Sequence, residues 1–384
     1  MSEMLRVRCA ILRGGTSKGI FLHENDLPRD RILRDRMILA IFGSPDVRQI
    51  DGLGGADPLT SKLAIIGPSS RPDADVDYTF GQVSIKEPLI DYSGNCGNIS
   101  AAVGPFAIDE GLVRAQEPVT YVRIHNTNTG KIIVAEVPVQ NGKARVTGDY
   151  KIDGVPGTGA KIMLDFAGTA GAATGRLLPT GRPVDVLDVP GYGRLEVSLV
   201  DAANPMVFVR ASDLGLTGTE SPSEVDSRPD LLELLEKIRA VGACAMGLAA
   251  TPEDASRRIP AFPMLAFVAP PKDYRSFTDQ KLIRAEDVDF VSRLMFMQVM
   301  HKTYAGTGTT CTGAAAAIPG TIVNEVSRRH EGEIRIGHPA GVITIEVAAA
   351  VQGNEVTLTR AAVGRTARRL MDGYVYVVPE KIQA

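Results

Sequence analysis

Two stretches, Asn98–Ala107 (NISAAVGPFA) and Thr312–Val323 (TGAAAAIPGTIV), are small and apolar on every face. A helix with no polar face must be buried on all sides. Each stretch follows a glycine-rich segment holding a cysteine, Cys96 in SGNCGN and Cys311 in GTGTTC, and each carries a proline, Pro105 or Pro319. Two such segments, more than half a chain apart, read as an internal duplication. Each half then wraps a sheet around one buried helix, with a cysteine-bearing loop at the helix amino terminus.

The rest of the chain supplies the sheets. Leu5–Leu12, Tyr78–Ile85, Val119–His125, Ile132–Val137, Leu195–Val200, Met206–Val209, Val342–Val347 and Val356–Leu358 are rich in β-branched residues, and most are bounded by turn formers. Amphipathic helices are fewer. One stripe is Ile32, Leu33, Met37, Ala40 and Ile41; another is Leu231, Leu235, Ile238 and Val241; the apolar period of Val288–Val299 suggests a third. Strands and helices do not alternate strictly, so the fold class is α+β rather than a doubly wound parallel sheet. The expected halves are residues 1–183, joined by a last strand at 373–384, and residues 184–372.

The composition narrows the function. The 384 residues allow one large domain or two. A net charge of −3 gives no electrostatic case for nucleic acid or an anionic membrane. Trp is absent, which disfavours base stacking. The amino terminus has no signal-peptide core, and no apolar run approaches a membrane span. Cys9, Cys96, Cys244 and Cys311 are far apart with no CxxC pair, as expected of reduced thiols in a cytoplasmic protein. The five histidines show no metal-ligand spacing, and no P-loop, dinucleotide fingerprint or nucleophile elbow is present. No metal or cofactor is expected.

Four loops remain as candidates for chemistry. Arg13–Gly19 (RGGTSKG) offers Thr16, Ser17 and Lys18 to an anion, although a plain tight turn reads equally well. In Asp51–Lys62 (DGLGGADPLTSK), Ser61 and Lys62 stand where a glycine-rich loop enters an apolar run. Burial there favours the neutral amine and makes a lysine usable as a base; most strand-edge lysines simply face solvent. In Asn95-Cys96-Gly97-Asn98, a thiol at a helix amino terminus meets the positive end of the dipole, which favours thiolate. The commoner fate of a free cysteine is inert burial. Here Gly97 permits close approach of a ligand, and the N–H groups with Asn95 and Asn98 suit a carboxylate. The fourth loop, Gly306–Gly313, gives Cys311, Thr312 and Gly313, preceded by Lys302, while His338 occupies a separate turn. These features point to cofactor-free acid–base chemistry on a small anionic molecule.

With RGGTSKG, GGADPLTSKLAII and DYSGNCGN together, the sequence resembles an isomerase family: 2-methylaconitate cis-trans isomerase, 3-methylitaconate Δ-isomerase and 4-oxalomesaconate tautomerase. The resemblance runs from Arg6 to about Tyr376. GSPDVRQIDGLGGADPLTSKLAIIGPS, HNTNTGK, KIDGVPGT and HKTYAGT are most similar to the methylitaconate branch. It implies a diaminopimelate-epimerase-like fold, two pseudo-symmetric halves with the active site in the cleft between them. It also implies a catalytic pair matching Lys62 and Cys96, with Cys311 left to shape the pocket. The expected reaction is a 1,3-allylic proton shift in a small unsaturated di- or tricarboxylate. The first choice is 2-methylene-3-methylsuccinate going to 2,3-dimethylmaleate; the alternatives are 2-methylaconitate or 4-oxalomesaconate. A non-catalytic accessory protein for an aconitase-like partner is the rival from another class. Assembly into a homo-oligomer is left open.

Overall fold

The structure, a computed structural model, describes residues 3–92, 94–152, 155–353 and 355–383. Ser93 of DYSGNCGN and Asp153-Gly154 of KIDGVPGT lie outside them. The chain forms two compact units, Met1–Asp165 with Gly364–Ala384, and Phe166–Val363. The sequence reading put the boundary at 183/184 and the return at 373. In the structure Phe166 already hydrogen-bonds Ala361 within the second unit, and Gly15 already bonds Thr366 within the first.

The first unit contains β1 (Leu5–Gly14), β2 (Ser17–His23), α1 (Arg31–Phe42), β3 (Lys62–Pro68), β4 (Val76–Val83), α2 (Gly97–Asp109), β5 (Val119–Asn126), β6 (Lys131–Gln140) and β7 (Ile162–Asp165). The C-terminal strand, Ala367–Val377, returns to pair antiparallel with β1. From that strand through β1 to β7, successive pairs run antiparallel, antiparallel, parallel, antiparallel, parallel, antiparallel, antiparallel.

The second unit contains β8 (Asp185–Val189), β9 (Gly193–Ala202), β10 (Asn204–Arg210), α3 (Pro229–Ala245), β11 (Met264–Ala269), β12 (Phe290–Phe296), α4 (Gly306–Ala317), α5 (Ile322–Val326), β13 (Gly332–His338) and β14 (Gly341–Gln352). The strand β15 (Glu355–Arg365) then leads back to the first unit. From β8 to β15 the pairs repeat the same series of orientations. The duplication read from two apolar segments is thus carried by eight strands in each half.

The central helices are α2 and α4. Every residue from Ile99 to Ile108 of α2 is buried. Side chains such as Ile99, Val103 and Phe106 each contribute roughly 1.5–3 kcal/mol by leaving water. Close helix–sheet approach needs glycine at one point in each half. A Cβ on Gly104 would meet Val137 of β6 at 2.7 Å, and one on Gly313 would meet Ile345 of β14 at 2.6 Å. Glu110, the residue that ends α2, carries the wrong charge for a helix carboxyl terminus. Arg8 and Arg369, the latter at 2.8 Å, offset it, and with His23 at 3.1 Å they fasten the helix to the surrounding strands.

Three expectations need correction. The helix of the second half was expected over Thr312–Val323 but spans Gly306–Ala317. Cys311 is therefore not in a loop before the helix but inside it, fully buried, with its thiol 3.3 Å from the Val200 carbonyl. The run GTGTT is helical because it is buried against β9, β10 and β14, and there Thr309 and Thr310 satisfy their hydroxyls on the carbonyls of Ala305 and Gly306. Pro319 lies beyond the end of α4, whereas Pro105 lies within α2. Finally, Val288–Val299 holds the buried strand β12, since the apolar run packs on both faces and Met297 and Gln298 turn the chain at positive φ.

Candidate functional site

Lys62 opens β3, a strand buried along nearly its whole length, and is itself only 8 % exposed. Its Nζ donates to Gln82 Oε1 at 2.7 Å and lies 5.4 Å from the Phe80 ring centroid. Gln82, opposite Lys62 on β4, is fixed by its own amide: Nε2 donates to Ser61 O at 2.9 Å and Pro58 O at 3.1 Å. Ser61 is fully buried, donating to Val83 O at 2.9 Å and accepting from Gln49 Nε2 at 2.8 Å. Gln49 also accepts from Ala56 N, so one buried amide braces the whole loop before Lys62. Sequence reading missed Gln82 and Gln49; a glutamine in a strand or loop has no distinguishing pattern.

Cys96 is the residue immediately before α2, with extended backbone (φ −113°, ψ 103°), and is half-buried. Its carbonyl accepts from Ser100 N at 2.9 Å, while Ser100 Oγ lies 3.2 Å from Asn95 Oδ1. The fully buried Tyr78 lies nearby; burial first, then Cys96, push its phenol well above the ordinary range, so it stays protonated.

The loop after β1 docks on this helix start. Asn98 Nδ2 donates to Thr16 Oγ1 at 3.0 Å. A Cβ on Gly14 would come 2.3 Å from the Asn98 carbonyl, and one on Gly15, at φ +51°, 2.1 Å from Asn98 Oδ1. Lys18 N donates to Leu59 O, tying this loop to the one before Lys62. Gly19 pairs with Lys62 across the parallel β2–β3 ladder. Its missing Cβ would stand 3.0 Å from both Lys62 O and Ile99 Cδ1 of α2. Ser17 Oγ is buried with no hydrogen-bond partner among the described residues. Nine expected site residues thus gather on three adjoining segments of the first unit, the starts of β2, β3 and α2 with the residues before them: Thr16, Ser17, Lys18, Ser61, Lys62, Asn95, Cys96, Gly97 and Asn98.

In the second unit, Thr312 and His338 flank the buried Tyr304. Thr312 Oγ1 is 2.9 Å from Tyr304 Oη, and the His338 and Tyr304 ring centroids are 6.3 Å apart. Tyr304 Oη is also 2.7 Å from Ser292 Oγ. Burial, together with Arg293 and His301, holds His338 down to about 3, so the ring is neutral. Gly313 and Cys311 are buried within α4, and Lys302 is exposed in the turn before it.

Aligning the repeats by strand register shows what stands in the second unit at the positions of Lys62, Gln82 and Cys96. Gly19 pairs with Lys62 as Met206 pairs with Met264, so Met264 stands where Lys62 stands. Leu63 pairs with Gly81 as Leu265 pairs with Met295, which sets Phe296 in the position of Gln82. Counting from the two helix starts, and from the packing glycines Gly104 and Gly313, the counterpart of Cys96 is Ala305. Cys311 corresponds to Ala102. The amine, amide and thiol of the first unit are replaced by apolar groups in the second. Among the described residues no three His, Cys, Asp or Glu side chains are grouped to hold a metal.

Comparison with known proteins agrees with this architecture. The chain is 62% identical to the 3-methylitaconate isomerase of Eubacterium barkeri, over the full length of both. It is 43% identical to the 2-methyl-aconitate isomerase of Shewanella oneidensis, covering 97% of each. The crystal structure of methylitaconate-delta-isomerase superposes with a TM-score of 0.94 at 62% identity, covering 99% of this chain and 98% of that one. A probable proline racemase from Agrobacterium radiobacter, 13% identical, covers 96% of this chain and 92% of its own with a TM-score of 0.50, a likeness of fold alone. The PrpF protein family matches residues 4–378, and the chain belongs to that family of isomerases.

Proposed function

We propose that this protein is an isomerase that moves a C=C bond within 2-methylene-3-methylsuccinate (3-methylitaconate) to give 2,3-dimethylmaleate. The observation that carries the choice of substrate is the full-length 62% identity to a protein named 3-methylitaconate isomerase. The proton leaves C3, which is both allylic and next to a carboxylate. The electron pair shifts into the C2–C3 bond, and a proton arrives at the methylene carbon, which becomes a methyl group. No electrons are gained or lost overall.

In this reading Lys62 and Cys96 exchange the proton. Each is a proton-transfer group of the type such a step needs. The nearly buried amine contacts a neutral amide and an aromatic ring, and the thiol opens a buried helix. Charge developing on the substrate carboxylate is stabilised by donors already aimed at it, chiefly the first N–H groups of α2 with Thr16, Ser17 and Lys18. The four free thiols accord with work in a reducing compartment, the cytoplasm.

The test is a panel assay of purified protein on 3-methylitaconate, 2-methylaconitate and 4-oxalomesaconate. Alkene absorbance is followed, and proton NMR in D₂O reads deuterium entering the new methyl group. Turnover fastest on 3-methylitaconate is expected. Preference for either other substrate would change the assignment, and no turnover on any of the three would favour a binding protein.

A further inference from the structure

Lys62 is the only charged side chain of β3, and the group that receives its hydrogen bond is an amide rather than a carboxylate. A glutamine amide can be turned either way, to offer its oxygen or its NH₂. Here the choice is fixed. Two backbone carbonyls, Ser61 O and Pro58 O, face the nitrogen side of Gln82 and accept from Nε2. The flipped amide would set Oε1 against both carbonyls and NH₂ against the lysine. The oxygen is therefore held toward Lys62 Nζ.

The repeat supplies an independent argument. At the same two register positions of the second unit stand Met264, buried, and Phe296. The sheet accommodates an apolar pair there. Lys62 and Gln82 are thus polar together in one half and absent together in the other, as expected of two residues that work as a unit and not of a strut the fold requires.

We propose that Gln82 is a positioning residue for the isomerisation, holding the Lys62 amine in its reactive orientation through a neutral acceptor. This rests on the reading of Lys62 as a proton-transfer residue. A carboxylate at this position would pair with the ammonium and resist its deprotonation. A neutral oxygen orients the nitrogen and leaves it free to give up and regain a proton. The Phe80 ring beside Nζ adds a second uncharged contact of the same kind.

Three variants test this: Lys62→Met, Gln82→Met and Gln82→Glu. Each is checked for folding by circular dichroism and thermal melting, and the active ones are followed as kcat/KM against pH. Gln82→Met keeps the length and removes the acceptor. It is expected to lower kcat at least tenfold with KM changed less than threefold. The limb of the profile governed by Lys62 should move to lower pH. Gln82→Glu should move the same limb to higher pH, because the carboxylate favours the ammonium. Opposite displacements are a signature that loss of a structural strut does not produce. If both variants keep the wild-type limbs, or lose activity only in step with melting, Gln82 is a strut and the inference fails. If folded Lys62→Met retains activity, the underlying reading of Lys62 fails, and this inference with it.

Discussion

Four thiols share the chain, and their surroundings separate them. Burial raises Cys9, Cys244 and Cys311 above the ordinary thiol range, Cys311 most strongly. Cys96 stands half-buried at the start of α2. Mild alkylation near neutral pH is expected to label Cys96 first and abolish turnover, with a carboxylate substrate analogue protecting it. Cys96→Ser should lose most activity, since a hydroxyl is a much weaker acid. Cys311→Ala should keep activity and lose roughly 1 kcal/mol of stability, because its counterpart Ala102 shows that the fold accepts alanine there. Peptide mapping of the alkylated protein checks the order, and first labelling at Cys311 would overturn it. His338 gives a pH prediction. An ordinary histidine titrates near 6.5, whereas burial first, then Arg293 and His301, keep His338 neutral down to about 3. Its unfolded form takes up a proton that the folded form refuses. Stability contributed by this group is present above about pH 6.5 and falls toward pH 3, by up to about 1.4 kcal/mol per pH unit. His338→Asn keeps a side-chain acceptor for Ala340 N, as Nδ1 is now. Chemical denaturation across that window should show a shallower decline in the variant; an unchanged slope would contradict the assignment.

Element by element, the sequence disclosed the helix of the first half more accurately than that of the second. Asn98–Ala107 falls within α2 because Gly97 and Cys96 mark a real boundary. In the second half the same logic, applied to Cys311, put the helix start six residues late. Glycine and β-branched threonine are poor helix formers, and only burial among β9, β10 and β14 makes GTGTT helical. Strand β12 was misread because an apolar run buried on both faces shows neither period clearly. Lys62 and Cys96 stood out as residue types in glycine-rich loops, whereas Gln82, Gln49 and Glu110 act only through partners distant in sequence. The docking of the Arg13–Gly19 loop on α2 yields a prediction at this scale. Gly15→Ala must adopt positive φ and displace the Asn98 amide. A loss of about 1–3 kcal/mol is expected, with a fall in kcat as the helix start shifts. Thermal melting and turnover check it, and unchanged values of both would show the loop to be looser than drawn.

At the scale of the whole molecule, duplication has been followed by specialisation. Eight strands in each unit keep one series of pairings, yet the amine–amide–thiol set is found in the first alone. That unit is discontinuous. Every residue of β1 has a partner on the C-terminal strand, from Leu5 opposite Val377 to Gly14 opposite Ala367, with one register shift between Ile11 and Leu12. Deleting residues 367–384 leaves Lys62 and Cys96 in the chain but strips β1 of this partner. The shortened protein is expected to lose cooperative unfolding and all turnover, as read by circular dichroism and the alkene assay. A soluble, active truncation would show that the strand is dispensable.

That interruption also orders events in time. A ribosome releases the chain from its amino end, so residues 166–363 are all available to one another before Ala367 has emerged. The second unit can close while translation continues. The unit that holds Lys62, Gln82 and Cys96 stays an open sheet, with β1 waiting for a partner, until Ala367–Val377 has been made. A message broken or a ribosome stalled within that returning stretch yields a chain containing Lys62, Gln82 and Cys96 and no finished frame to hold them. The frame around Lys62 and Cys96 is therefore closed by the returning strand and not by the segment that carries them.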